Sequence, residues 1–130
     1  MGCKDREFMS VNLCKFAAIT EKSIMTDHEK RVTEMIKAKI KEKDPDAEVI
    51  LYGSHARGDA NKDSDWDILI LVNKPNFKRY MEREYRDSLF DIVLEIEEPI
   101  SAFIRTKEAW ETIHAGGPFY DNVTREGIHL

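Results

Sequence analysis

A chain of 130 residues, 42% hydrophobic and 35% charged, has the material for one domain around one core. Its formal net charge of −5 argues against bulk electrostatic attachment to nucleic acid, which needs a basic surface. No apolar run approaches the roughly 20 residues of a membrane helix, and two cysteines, Cys3 and Cys14, give no disulfide framework, so the expected compartment is a reducing cytoplasm.

Residues 1–25 read as an N-terminal extension ahead of a domain over residues 26–130. Val11 to Ile19 is mildly apolar but interrupted by Asn12 and Lys15, and Asp5 and Glu7 stand where a secretory signal would be purely basic. Arg6 occupies the position where myristoylation needs Ser or Thr. Met25 is a candidate start. The residues before it are then either a miscalled extension or a short arm, flexible or packed as a helix.

Thr26 with Glu29 fits a capping box. Val32, Met35, Ile36 and Ile40 follow at helical spacing, predicting an amphipathic helix over about 27–42. Asp44-Pro45-Asp46 ends it. Glu48 to Tyr52 is rich in β-formers and reads as the first strand. Trp66 to Val72 is the second, apolar on both faces beyond Asp67, as a central strand should be. Between them, Asp59, Asn61 and Asp63 are loop chemistry. Asn73 to Asn76 is a further loop.

Residues 77–97 carry two patterns. Phe90, Ile92, Leu94 and Ile96 alternate like a strand, but Phe77, Met81, Tyr85, Leu89, Ile92 and Ile96 keep a helical period over about twenty residues, which favours one long helix. Pro99 opens a third strand, Ile100 to Arg105. Thr106 caps a short helix bearing Ala109, Trp110 and Ile113, which Gly116-Gly117-Pro118 breaks. Phe119, Tyr120, Val123 and Ile128 either pack back on the sheet or form a partner surface. The fold class expected is α/β (α+β), a mixed sheet of about three strands packed by helices.

The chemistry concentrates in Gly53-Ser54-His55-Ala56-Arg57-Gly58 and, shortly after, Asp65-Trp66-Asp67. Residues i and i+2 of a strand share a face, roughly 7 Å apart along the backbone. Asp65 and Asp67 therefore converge while Trp66 turns away. At about 5 Å and an effective dielectric of about 20, their repulsion is about 3 kcal/mol. A divalent cation turns that repulsion into coordination, and magnesium suits one or two carboxylates plus phosphates. Gly53 permits a tight turn, Ser54 suits the start of a helical turn, and exposed N–H groups there attract anions. Arg57 lies one turn on, within reach of a phosphate oxygen. Taken singly these signals are weak. Gly-Ser is an ordinary turn, Asp-x-Asp is common in loops, and Arg57 could pair with Asp59 or Asp63. Their order and short spacing between two apolar runs carry the reading.

With those residues in place, Ile50 to Gly58 and Ser64 to Ile70 resemble the signature of the minimal nucleotidyltransferases of the DNA polymerase beta-like superfamily: Gly-Ser-x-Ala-Arg-Gly, a short loop, then Ser-Asp-x-Asp and an apolar strand. The resemblance covers residues 26–130. It implies a small nucleotidyltransferase fold and magnesium-dependent use of a nucleoside triphosphate, usually ATP, with transfer of the nucleoside monophosphate to a hydroxyl. By matching positions, Gly53 and Ser54 would hold the triphosphate. Asp65 and Asp67 would bind the metals of a two-metal site. His55 falls at a variable position of the pattern and reads as a surface residue, with nucleotide contact the less favoured alternative. His28, His114 and His129 have no zinc spacing. Trp66 and Trp110 read as core.

The chain departs from the pattern at one point. The superfamily usually carries a third carboxylate on the third strand, and Ser101 stands there; Glu97, Glu98 and the more distant Glu95 are the nearby acids. Many minimal nucleotidyltransferases resemble antitoxins that pair with a separate HEPN-type protein. Two readings follow: an enzyme whose acceptor lies on such a partner, or a module of the same fold that neutralises a partner by contact with little turnover.

Overall fold

The structure, a computed structural model, describes residues 25–112 and 115–130. The expectations for the N-terminal extension, for Cys3 and Cys14, and for Ile113 and His114 lie outside them. The chain divides after Lys30 into two units, of which the second, Arg31–Leu130, is compact. The second contains the sheet and every candidate site residue.

Helix α1 spans Asp27–Lys43. The predicted capping box forms: Glu29 N–H donates to Thr26 Oγ1 at 3.1 Å, and Thr26 N–H donates to Glu29 Oε1 at 3.0 Å. The helix buries Val32, Ile36 and Ile40 along one stripe. Next come β1 (Glu48–Tyr52), the single turn α2 (Ser54–Arg57), β2 (Trp66–Val72), α3 (Arg79–Ile96), β3 (Ile100–Thr106), α4 (Lys107–Thr112), α5 (Pro118–Glu126) and β4 (Ile128–His129). Spatial order is β3-β2-β1-β4. Strand β1 runs antiparallel to both β2 and β4, and β2 runs parallel to β3. The fold is the mixed α+β sheet expected, with one short strand more than anticipated.

Strand β2 is central, and its covering on both sides explains its continuous apolar run. One face carries Val49, Leu51, Trp66, Ile68, Ile70, Val72 and Ile104, all at most 1% exposed. Helices α1 and α3 lie against each other, linked by Lys43 to Glu84 at 2.9 Å. The opposite face packs Ile50, Leu69 and Leu71 against Trp110 of α4 and Val123 of α5, flanked by Tyr52, Phe119 and Tyr120. Each fully buried aliphatic or aromatic side chain contributes roughly 1.5–3 kcal/mol. The tail therefore packs back on the sheet.

The helical period wins at residues 79–96 because alternation cannot be satisfied. Ile92 is buried while Phe90 and Leu94 are 56% and 62% exposed, so these three do not share a face. Thr106 caps α4 as expected, accepting a hydrogen bond from Ala109 N–H at 3.0 Å. Asp44, at the end of α1, is buried and accepts the Tyr85 hydroxyl at 2.8 Å. It ties α1 to α3 as well as ending its own helix.

Candidate active site

Strand β1 ends at Tyr52, and the chain turns through Gly53 into α2. Gly53 sits at φ 79°, a left-handed region costly for any other residue. A side chain at this position would collide with Asp67 Oδ2. The backbone of the turn therefore rests directly against the Asp67 carboxylate. The turn closes with Ala56 and Arg57 N–H groups donating to Gly53 O, each at 3.0 Å, and Gly58 in a left-handed C-cap. Ser54 opens α2 and is half-buried.

Asp67 is the second residue of β2, opposite Tyr52 of β1 and Ser101 of β3. Directly paired residues share a sheet face, so Tyr52, Asp67 and Ser101 point the same way. Asp65 precedes the strand, exposed, and its Oδ2 accepts the Ser101 hydroxyl at 3.4 Å. The two aspartates thus converge, and Ser101 faces them from the neighbouring strand. Partial burial raises the Asp67 carboxyl above its ordinary range, and the Asp65 charge raises it further. Tyr52, half-buried and facing Asp67, is pushed up to about 12 by that burial and by the Asp67 charge. Its hydroxyl stays neutral beside the carboxylate.

The other motif residues are placed less as expected. His55 is not a surface residue: it is 7% exposed and stacks on Trp66, ring centroids 3.6 Å apart and planes 5° from parallel. Trp66 is core, on the face away from Asp67, and its indole N–H donates to Glu98 Oε1 at 2.7 Å. Glu98 is thereby committed to the opposite side of the sheet. Glu95 lines the groove between α1 and α3 with Met35 and Asp91, and exposed Glu97 ends α3 in a left-handed conformation.

Arg57 is engaged with two carboxylates. Its Nε donates to Asp59 Oδ2 at 3.2 Å, and its Nη1 donates to Glu126 Oε2 at 2.8 Å. Glu126, from the last turn of α5, is near enough to add to the upward pressure on Asp67. Nothing in the sequence points to it: it lies 69 positions from Arg57, in a helix with an otherwise solvated face.

Among the described residues no group of three or more His, Cys, Asp or Glu side chains is arranged to hold a metal. Two converging carboxylates and one hydroxyl do not make a protein cage. They fit magnesium, which takes its remaining ligands from water and phosphate.

A toxin–antitoxin crystal structure with AMP-PNP superposes with a TM-score of 0.54 at 15% identity, over 74% of this chain and 69% of that chain, a likeness of fold. A cytoplasmic RNA terminal U-transferase aligns over 59% of this chain and 24% of that chain, at 27% identity and a TM-score of 0.38, too low to support an argument. No curated protein matches the chain. The model of the nucleotidyltransferase domain family runs over residues 33–126, from the buried stripe of α1 through both motifs to the end of α5, and the chain belongs to that family.

Proposed function

We propose that the protein is a metal-dependent nucleotidyltransferase that moves a nucleoside monophosphate from a nucleoside triphosphate to a hydroxyl acceptor. The observation that carries this reading is the Gly53 backbone resting against Asp67, with Asp65 converging beside it. A phosphate chain on the turn would lie next to the paired carboxylates. Bound magnesium would neutralise charge on the triphosphate and on the departing pyrophosphate. Asp65 and Asp67 would hold that ion. Gly53 and Ser54 offer backbone N–H groups to phosphate, and Arg57 adds a cation. The acceptor oxygen forms a bond to the α-phosphorus as the bond to pyrophosphate breaks, in line. The described acids include none committed to receiving the acceptor's proton, so no general base is assigned.

ATP is the preferred donor in this reading, supported by the AMP-PNP of the toxin–antitoxin neighbour. The domain is small, at 130 residues in the whole chain, which favours an acceptor carried by a partner protein, of HEPN type by the sequence resemblance, in the cytoplasm. No helix among the described residues is long and apolar enough to cross a membrane.

Ser101 favours a second reading. A hydroxyl where a third carboxylate is usual suits a module that binds nucleotide and neutralises its partner by contact, with little turnover. The two separate in one experiment. The protein is incubated with magnesium, cognate lysate and ATP labelled in either the α- or the γ-phosphate. Transferase activity puts α-label on an acceptor and γ-label in pyrophosphate only. Label on the acceptor from the γ position would show phosphoryl transfer and overturn the proposal. Absence of transfer despite nucleotide binding would favour the second reading.

A further inference from the structure

We infer that Glu126 is a positioning residue for the triphosphate, acting through Arg57; this rests on the proposed reading of the Gly53–Asp67 site. An arginine on a four-residue helix has about 2 kcal/mol of side-chain freedom to lose when it is fixed on a ligand. Here much of that freedom is already removed. Arg57 Nη1 reaches both Glu126 oxygens, at 2.8 and 3.4 Å, and Nε reaches Asp59 at 3.2 Å. Burial is unequal: the Glu126 side chain is 17% exposed and that of Arg57 48%. Glu126 is the anchor, and Arg57 is the arm that meets solvent.

The anchor is itself fixed to the strand that delivers the site. Val123, one turn earlier on α5, is in the core against Ile50 and Leu69. Gly127 follows Glu126 at a corner where an added side chain would strike the Val123 carbonyl and come within 2.8 Å of Ile50 Cγ2. Beyond it, β4 pairs with β1, and Leu130 N–H donates to Val49 O at 2.9 Å. Glu126 thus holds a constant place relative to Tyr52 and Gly53.

A guanidinium has five N–H donors in a rigid fork. The bonds to Asp59 and Glu126 use Nε and Nη1, so the Nη2 amino group keeps its donors for an anion. Arg57 ends the single turn that Gly53 opens, and Gly53 rests against the Asp67 carboxylate, which puts the ion pair at the edge of the carboxylate site. A carboxylate orienting a cation toward the group it must bind is the logic by which outer ligands orient metal-binding side chains.

The test is a double-mutant cycle on the full chain, read as affinity for magnesium with α,β-methylene ATP, whose α–β bridge cannot be cleaved. Arg57→Ala should weaken binding about tenfold, the value of a charge-assisted contact. Glu126→Gln should weaken it severalfold, and Glu126→Asp should recover part of that loss. The double variant Arg57→Ala/Glu126→Gln should bind no worse than Arg57→Ala, because Glu126 acts only through Arg57. Should Glu126→Gln melt below the assay temperature, Glu126→Asp takes its place in the cycle under the same requirement. Additive losses overturn the inference, as does wild-type affinity in Glu126→Gln or in Arg57→Ala. Loss of affinity in Asp65→Asn with Asp67→Asn, while Arg57→Ala binds normally, would leave the two-aspartate metal reading standing and remove the roles of both Arg57 and Glu126. Normal affinity in that aspartate variant would remove the site reading itself.

Discussion

Gly53 and Ser101 set the limits of the site. Gly53→Ala places a side chain into Asp67 and keeps a backbone angle that alanine resists. The expected cost is at least about 1–2 kcal/mol of folding stability, with loss of metal-dependent nucleotide binding beyond what the stability loss explains. Denaturant melts and nucleotide titrations on one sample separate the two effects. Ser101→Asp adds a third carboxylate opposite Asp67 and beside Asp65. Without metal it should lower the melting temperature slightly, since three like charges converge. With magnesium it should bind the ion more tightly, and it should raise transfer if turnover is limited by the missing acid. Unchanged magnesium affinity would show that Ser101 does not border the metal position. His55 shows where residue-level reading ran out. Its neighbours in sequence suggest a polar turn, yet the Trp66 ring lies flat against it and removes it from solvent. Stacking between residues eleven positions apart leaves no local trace.

The strands around the site were legible because β-rich apolar runs bounded by Gly, Pro and Asp have few alternatives. Strands β1 and β2 fall on the residues expected, and the helical reading of α3 was correct because its period persisted longer than the competing alternation. Strand β4 was not foreseen. Two residues carry no periodicity, and Ile128 and His129 become a strand only because β1 presents an edge to pair with. Its place in the motif marks Arg57 as a phosphate contact, while its tie to Glu126 depends on where α5 docks. Asp44 reads in sequence only as a helix terminator for the same reason: the hydroxyl it accepts comes from 41 residues away. That contact carries a prediction. Asp44→Ala leaves the buried Tyr85 hydroxyl without its acceptor and removes the Asx turn to Asp46 N–H. It should cost about 2–3 kcal/mol. Tyr85→Phe should cost less, since Asp44 keeps Lys74 and the Asp46 N–H as partners. No loss from Tyr85→Phe would show that packing of the tyrosine ring, rather than the hydrogen bond, joins α1 to α3.

The molecule as a whole carries net charge −5, and its candidate site adds converging carboxylates to that background. A polyanionic triphosphate meets such a surface unfavourably unless a divalent cation intervenes, so nucleotide binding and metal binding should be coupled. Two apolar layers covering β2 hold the core, and at the end of the sheet the two aspartates add to it only the long hydrogen bond from Ser101 to Asp65, set against their own repulsion. The fold should therefore tolerate their neutralisation while the function does not. Calorimetric titration of magnesium with α,β-methylene ATP into wild type and into Asp65→Asn with Asp67→Asn tests this directly. Binding should be magnesium-dependent in the wild type and show no magnesium dependence in the variant, despite a melting temperature at or above that of the wild type. Equal, magnesium-dependent affinity in both proteins would contradict it.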